Sequence, residues 1–507
     1  MLPVGVEKRP EFAVLQKKLA YEDKRITYQY LKWKKIQKKD DLYLQNGSKG
    51  YRDWLVGKIG RAAVDEKVAE FAKLRHGTCL FFENGRYWTY SGLQGLVENI
   101  VAQKANLKPT ITPEEWGLVP WASKPVHEPR WYQSKAVDLL CPLDGSRTHG
   151  AVSSGTGTGK SLMMLLIAKR IGLETVVVVP TRGIGKQMVK NFSNAFGKGK
   201  VGQFFDGKHQ SDKFFVIAVS NSLANVEKGT KEWKELSRRK VVLCDEAHLA
   251  PPESLSTVMF DLLSQVPYRY FFSGTMFRND GLGLLLQGIA GDVVFEYSVE
   301  RGIKEGCLSP LKFFQWRITS ENKCNTDDPI KMNKVHLQEN DKVYKHAANL
   351  INRAVTEKSR RVVVLVDGLG QFKRLLKGGL AVPAKFAHAG ITALNKKEVP
   401  QEYWKSDPML FVEQFDKGEF PVLVGTSCIG VGVDVCSADF IVNIVGLTSE
   451  IEISQNAGRG TRLFPGKTDC HYHDYCIYNI EKLERHGKKR REIFDSIYGQ
   501  CRIMETK

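Results

Sequence analysis

A glycine-rich run, Gly155-Thr156-Gly157-Thr158-Gly159, ends on Lys160 and Ser161. Alternating glycines let backbone amides approach an anion closely, the lysine brings a fixed positive charge, and the serine offers a hydroxyl to a cation. The chemistry this fits is the holding of a nucleoside triphosphate, with Lys160 on the β- and γ-phosphates and Ser161 on Mg²⁺. The general pattern places a further glycine six residues before the lysine. Ser154 stands there, while the anion-binding core from Gly157 to Ser161 is intact.

A matching pair of carboxylates, Asp245 and Glu246, closes the run Lys240-Val-Val-Leu-Cys-Asp-Glu. Two adjacent acids leaving an apolar strand are costly unless a cation or a donor network compensates them. Asp245 is the residue to hold Mg²⁺ through its water shell, and Glu246 the one to orient and deprotonate an attacking water.

Such groups need a scaffold that brings several strand ends together. From about Arg147 the chain alternates short apolar runs with amphipathic stretches: HGAVSS, TVVVVP, FFVIAVS, KVVLCDEA and YRYFFSGT. A second series follows EGCLSPLKFF: RRVVVLVDG, AKFAHAG, FPVLVGTS, DFIVNIVG and DCHYHDYCIY. Near-continuous apolar runs of this length, separated by helical patterns, predict buried strands of parallel sheets flanked by helices. The reading is an α/β protein with two such lobes in tandem, over 119–304 and 305–485, behind a small basic α+β amino-terminal domain (1–118) and before a basic carboxy-terminal tail (486–507). Asn84-Gly85 between aromatic β-formers predicts a tight hairpin in the leading domain. The proline-rich stretch from Thr110 to Pro129 reads as the linker.

In this setting the tetrad Asp245-Glu246-Ala247-His248 resembles that of the superfamily 2 helicases and translocases, and the other motifs of that family follow in order. The resemblance spans about two thirds of the chain and implies two RecA-like lobes that close on ATP. It places Gln133 on the adenine edge with Arg130 and Tyr132 nearby, and Gly155 through Ser161 around the phosphates. Pro180, Thr181 and Arg182, then Ser220 and Asn221, correspond to segments that hold the nucleic-acid backbone. His248, Ser273 and Thr275 take the coupling positions, with Gly274 where alanine is commoner.

In the second lobe the resemblance puts Thr426, Ser427 and His388 on the nucleic acid. It puts Gly432 and Asp434 on the nucleotide, and Gln455, Arg459 and Arg462 across the cleft at the γ-phosphate. The passage Gly291 to Phe313 resembles the group of the family that includes the phage branch-migration and XPB-type DNA helicases. That implies branched DNA or RNA–DNA hybrids as substrate, 3′ to 5′ movement, and a role in recombination, replication-fork rescue or repair. An RNA helicase, the translocating subunit of a restriction system, and a binding scaffold with a vestigial site are the competing readings.

Composition agrees with a polyanionic partner. The 507 residues carry 75 basic against 56 acidic side chains, a formal charge of +19, and a strongly basic soluble chain points first to nucleic acid. A length of this order suggests two or three domains. Ten cysteines without paired short spacings are no disulfide framework, so the expectation is a reducing compartment; the chain is separately expected to be cytoplasmic and a monomer. Trp33 among lysines reads as the inward face of an amphipathic helix or a base-stacking residue. In Cys470-His-Tyr-His-Asp-Tyr-Cys476 the cysteines and histidines alternate faces of a strand, which disfavours zinc.

Overall fold

The computed structural model describes residues 116–117, 119–125, 128–247, 252–274, 283–324, 326, 328–388, 403, 406–426, 435–446, 453, 456–499 and 501–505, with four short strands before them. Those four form two antiparallel pairs: β1 (Ala20–Glu22) with β2 (His76–Thr78), and β3 (Leu80–Glu83) with β4 (Arg86–Thr89). Glu83 pairs with Arg86, so the β3–β4 register is that of the expected hairpin on Asn84-Gly85. Trp33 and its lysines lie outside the described residues.

The first large sheet has seven strands in the order β11-β5-β10-β9-β6-β8-β7. They are β5 (His149–Ser154), β6 (Thr175–Val179), β7 (Val201–Phe204), β8 (Phe215–Val219), β9 (Val241–Asp245), β10 (Tyr268–Ser273) and β11 (Val293–Tyr297). Every pairing is parallel. The central strands are valine-rich and buried on both faces, as a sheet between two helix layers requires. Alternate residues feed two cores: Val177, Ile217 and Leu243 on one side, Val176, Val216 and Val242 on the other.

The second sheet repeats the plan in the order β14-β15-β13-β16-β17-β12-β18, again all parallel. Its strands are β12 (Leu311–Ile318), β13 (Val362–Leu365), β14 (Ala384–Ala387), β15 (Val422–Gly425), β16 (Phe440–Asn443), β17 (Cys470–Ile477) and β18 (Arg502–Glu505). These are the tandem RecA-like lobes the strand series predicts.

Two expectations are corrected. The segment from 486 onward is no tail: it begins inside the helix Glu481–Tyr498, which buries Leu483, Ile493 and Phe494 on the second lobe, and it ends in β18, paired to β12. The strand Cys470–Ile477 is accordingly not the last of its sheet. The proline-rich stretch is also less a linker than a strap. Trp116 donates its indole N–H to the Tyr268 hydroxyl at 2.9 Å, and Trp121 stacks on Phe196 with centroids 5.1 Å apart.

Candidate functional site

Parallel pairing aligns the carboxyl ends of β5, β9 and β10, because Phe272 sits opposite Asp245 and Ser273 opposite Ser153. Ligands of open α/β sheets bind outside this edge. After β5 the glycine run turns sharply into the helix Lys160–Ile171, with Gly157 and Gly159 both at φ +85. A side chain at Gly159 would meet both strain and the Gln133 amide, so the bare backbone there is required. The result is a cradle of bare backbone leading to a helix amino terminus, which suits phosphate.

Ser154 replaces the expected glycine without loss of order. It is fully buried, its hydroxyl is 2.6 Å from the Thr158 hydroxyl, and Thr158 in turn donates to the Gly155 carbonyl at 2.7 Å. Lys160 donates to the Ser154 carbonyl at 3.3 Å and pairs with Glu246 Oε1 at 3.0 Å. Glu246 sits in the left-handed region at φ +45, a strained position for a residue with a Cβ, and its Oε2 accepts from the Gly274 amide at 3.3 Å. Asp245 is buried and accepts from the Glu246 amide at 3.0 Å. Burial pushes the Cys244 thiol well up, and the adjoining carboxylates add to this, so it stays an inert neutral group beneath them. The polar donor set fits a triphosphate and a divalent cation: amides, one lysine, a serine hydroxyl at the helix start and one carboxylate.

The adenine expectation is modified. Tyr132 is fully buried, donates to the Thr158 carbonyl at 2.9 Å and stacks on Tyr297 at 3.9 Å, and burial raises its pKa. Gln133, also buried, donates to the same carbonyl at 2.8 Å and accepts from the Arg130 amide at 2.9 Å. Both side chains brace the loop from beneath, whereas an edge open to a base was expected. Arg130 reaches instead to the Cys307 carbonyl at 2.5 Å, in the segment joining the lobes.

The second lobe touches the loop directly. A Cβ built on Gly157 would lie 3.5 Å from Arg462 Cγ and 3.5 Å from the Thr461 hydroxyl, while Gly458 packs so closely on Thr156 that a side chain there would collide. Arg459 is buried, with its guanidinium donating to Asn456 at 2.5 Å. Arg462 is thus an arginine beside the loop. The backbone carbonyl of Thr461, a residue the motif pattern did not single out, accepts from the Ser309 amide at 2.6 Å.

On the nucleic-acid side, Thr181 caps the helix Arg182–Phe196 by accepting from the Ile184 amide. Arg182 and Asn221 are exposed, and Pro180 and Thr426 half-buried. Two expected contacts are corrected. Ser220 is fully buried, and His388 is buried with its Nε2 2.9 Å from the Tyr403 carbonyl, so neither presents a side chain to a partner. His248, Thr275, Ser427, Gly432, Asp434 and Gln455 lie outside the described residues.

The strand Cys470–Ile477 is structural. His473 lies between Phe314 at 4.8 Å and Phe440 at 4.3 Å and accepts from the Trp316 indole at 3.0 Å. Asp474 pairs with the buried Arg490 at 2.8 Å, an arginine that the basic run of residues 486–494 hid as a solvated charge.

A glycine cradle, a lysine–carboxylate pair and an arginine from a second parallel-sheet lobe define the class: a nucleotide-binding motor of the tandem RecA-like type. Comparison with known proteins narrows it. Residues 126–278 match the family model "Type III restriction enzyme, res subunit". A putative helicase of a Sulfolobus islandicus filamentous virus is 22% identical over 69% of this chain and 64% of its own length. A DNA 3′-5′ translocase, XPB2, of Sulfurisphaera tokodaii is 23% identical over 66% of this chain and 78% of its own. The solved structure of S. cerevisiae Dbp5 bound to RNA and ADP BeF3 shares the fold, with a TM-score of 0.53 over 75% of this chain and 90% of that one at 13% identity. The chain resembles the ATP-hydrolysing nucleic-acid helicases of superfamily 2, in line with its motifs. No helix among the described residues is long and apolar enough to cross a membrane.

Proposed function

We propose that the protein is an ATP-driven DNA helicase or translocase that unwinds or branch-migrates forked and junction DNA in recombination, fork rescue or repair. The observation that supports the motor reading is the meeting of Gly157 with Arg462, a contact expected if one nucleotide site is shared between the lobes. Nucleotide bound between them favours the closed state, and loss of the γ-phosphate releases it.

In this reading Lys160 exchanges Glu246 for the β- and γ-phosphates, and the amides of Gly155 through Lys160 line the rest of the chain of phosphates. Ser161 and Asp245 would hold Mg²⁺, which when bound would supply neutralisation of phosphate charge. Glu246, freed at Oε1 but still tied to the Gly274 amide through Oε2, takes a proton from the attacking water. Arg462, together with Arg459 and Gln455, stabilises the charge that spreads over the transferred group, an effect on the order of a thousandfold or more in comparable enzymes. His248, Ser273 and Thr275 carry the coupling. Gly432 and Asp434 complete the nucleotide site, and Arg130 is the member of the adenine trio that remains half-exposed.

DNA as substrate is supported by the charge of +19 and by the relative described as a DNA 3′-5′ translocase, which also supports the polarity. Pro180, Thr181, Arg182, Asn221, Thr426 and Ser427 serve as backbone contacts, and the leading 118 residues as a nucleic-acid-binding domain. Action as a monomer in the cytoplasm belongs to the same reading. A double-stranded DNA translocase of a restriction system is the second reading, favoured by the family model that residues 126–278 match.

ATP hydrolysis measured without nucleic acid and with single-stranded DNA, duplex, a four-way junction and single-stranded RNA tests the choice. Strongest stimulation by the junction is expected. Strongest stimulation by plain duplex favours the second reading, and stimulation by RNA with DNA inert overturns the DNA assignment.

A further inference from the structure

Arg182, taken above as a backbone contact, already holds an anion. Its Nε lies 3.2 Å from Asp206 Oδ1, and Lys186, one helical turn on, lies 3.3 Å from Asp206 Oδ2. One carboxylate therefore bridges two cations at the amino end of a 15-residue helix that has no acidic residue in its own first turn. Cations there oppose the helix dipole, so an anion from elsewhere is favoured at that place.

The neighbouring chain is built to deliver it. Asp206 and Gly207, at φ +52 and +73, are the central residues of a tight turn closed by the Lys208 amide on the Phe205 carbonyl at 3.2 Å. Positive φ at both centres is the type I′ pattern, which aspartate and glycine tolerate best. Phe205 anchors the turn. Its ring lies so close to Gly185 on the same helix that a Cβ there would be 2.8 Å from Phe205 Cζ. The carboxylate is partly shielded while both cations are mostly exposed, with side chains 76% and 58% accessible, so a larger anion can reach them from solvent.

We propose that Asp206 is an internal stand-in for a nucleic-acid phosphate, and that it sets affinity by competing for Arg182 and Lys186. This rests on the nucleic-acid reading above and adds Lys186 to the contacts. With Asp206 seated, the pair presents one net positive charge. Backbone binding at this spot exchanges carboxylate for phosphate, which keeps the grip weak enough to release at each step.

The test is binding of a labelled forked DNA across roughly 50–200 mM salt by the parent, Asp206→Asn, Lys186→Gln and the double variant. Asparagine keeps the left-handed turn and removes the charge. Asp206→Asn is expected to tighten binding roughly fivefold and to steepen the salt dependence by about one phosphate equivalent. Lys186→Gln is expected to cost little in the parent and more in the Asp206→Asn background, a comparison that also stands on the parent chain if Asp206→Asn folds poorly, since a large cost of Lys186→Gln there contradicts masking. Unchanged or weaker binding by Asp206→Asn, or an equal cost of Lys186→Gln in both backgrounds, overturns the proposal and leaves Asp206 as a positioning residue. A parent that binds no nucleic acid overturns the function proposed above instead.

Discussion

Each lobe buries an ion pair at its sheet, and the two pairs are built to opposite ends. In the first lobe Lys160 and Glu246 meet at 3.0 Å at the glycine loop, with Glu246 in a strained backbone position and the ammonium also on the Ser154 carbonyl. In the second, Asp474 and Arg490 are almost wholly enclosed. Asp474 also accepts from Gln315 at 3.0 Å and Asn443 at 3.3 Å, and Arg490 donates to the Tyr475 carbonyl at 2.6 Å. A buried pair is costly unless its remaining donors and acceptors are satisfied. The enclosed pair meets that condition from its own lobe and fastens the helix Glu481–Tyr498 to β17. The first-lobe pair stands at the carboxyl edge of its sheet, beside the glycine loop, and on the function proposed above an incoming phosphate takes the lysine and leaves the glutamate to act as a base. On the same proposal, charge burial serves architecture in one lobe and chemistry in the other.

The sharpest way to break this contrast is to neutralise one member of each pair. Glu246→Gln keeps the size and the Gly274 contact but removes the base, so steady-state ATP hydrolysis should fall roughly 10²–10⁴-fold while nucleotide binding, followed by a fluorescent ATP analogue, persists. A residual rate near that of the parent contradicts the role given to Glu246. Arg490→Met should instead leave Asp474 buried without its cation and lower stability by about 3–5 kcal/mol. Denaturant unfolding reads this, and a loss confined to hydrolysis with stability intact would show that the enclosed pair is not architectural.

Acid should separate the lobes in the same sense. Burial lowers the pKa of five histidines of the second lobe, His336, His346, His471, His473 and His486, with His346 brought to about 4. Each is depressed below its unfolded value near 6.5, so below that pH the unfolded chain binds more protons than the native one and stability rises with pH. For His346, half-buried, the loss between about pH 6.5 and 4 is at most on the order of 2 kcal/mol. Unfolding midpoints measured across this window should fall with pH, and His346→Phe should flatten the slope. A midpoint indifferent to pH there would mean the histidines are hydrated enough to protonate in place.

These contrasts also mark how far the sequence could be read. The glycine loop, the acidic pair and the valine-rich central strands were legible because local composition dictates them: glycine at positive φ, carboxylates at a strand end, apolar runs buried on both faces. Edge strands were not. Val201–Phe204 is four residues with an internal glycine, and Arg502–Glu505 is largely exposed, so only pairing with β8 and β12 defines them. Arg490 looked like its solvated neighbours because only its position over Asp474 distinguishes it. Tyr132 and Gln133 were recognisable as a motif, but the motif does not say that their side chains donate to the Thr158 carbonyl of the loop. Likewise Asp206 is an ordinary turn residue until the fold sets it between Arg182 and Lys186.

The smallest expected effect concerns the one position where the loop departs from the general pattern. Ser154 is not among the residues at positive φ, so nothing in its backbone calls for glycine. Its hydroxyl instead tethers Thr158, the residue on which Tyr132 and Gln133 converge. Restoring the general pattern with Ser154→Gly removes a buried hydrogen bond, adds conformational freedom to the unfolded chain, and leaves the Thr158 hydroxyl with the Gly155 carbonyl alone. The expected cost is about 1–2 kcal/mol of stability, with KM for ATP raised a few-fold and kcat nearly unchanged, because the loop must be ordered before it binds but the reacting groups are untouched. A variant that binds ATP as tightly as the parent would show that Tyr132 and Gln133 suffice to shape the loop. A variant that loses kcat instead would mean that Ser154, through its carbonyl contact with Lys160, positions the lysine in the reaction as well as at rest.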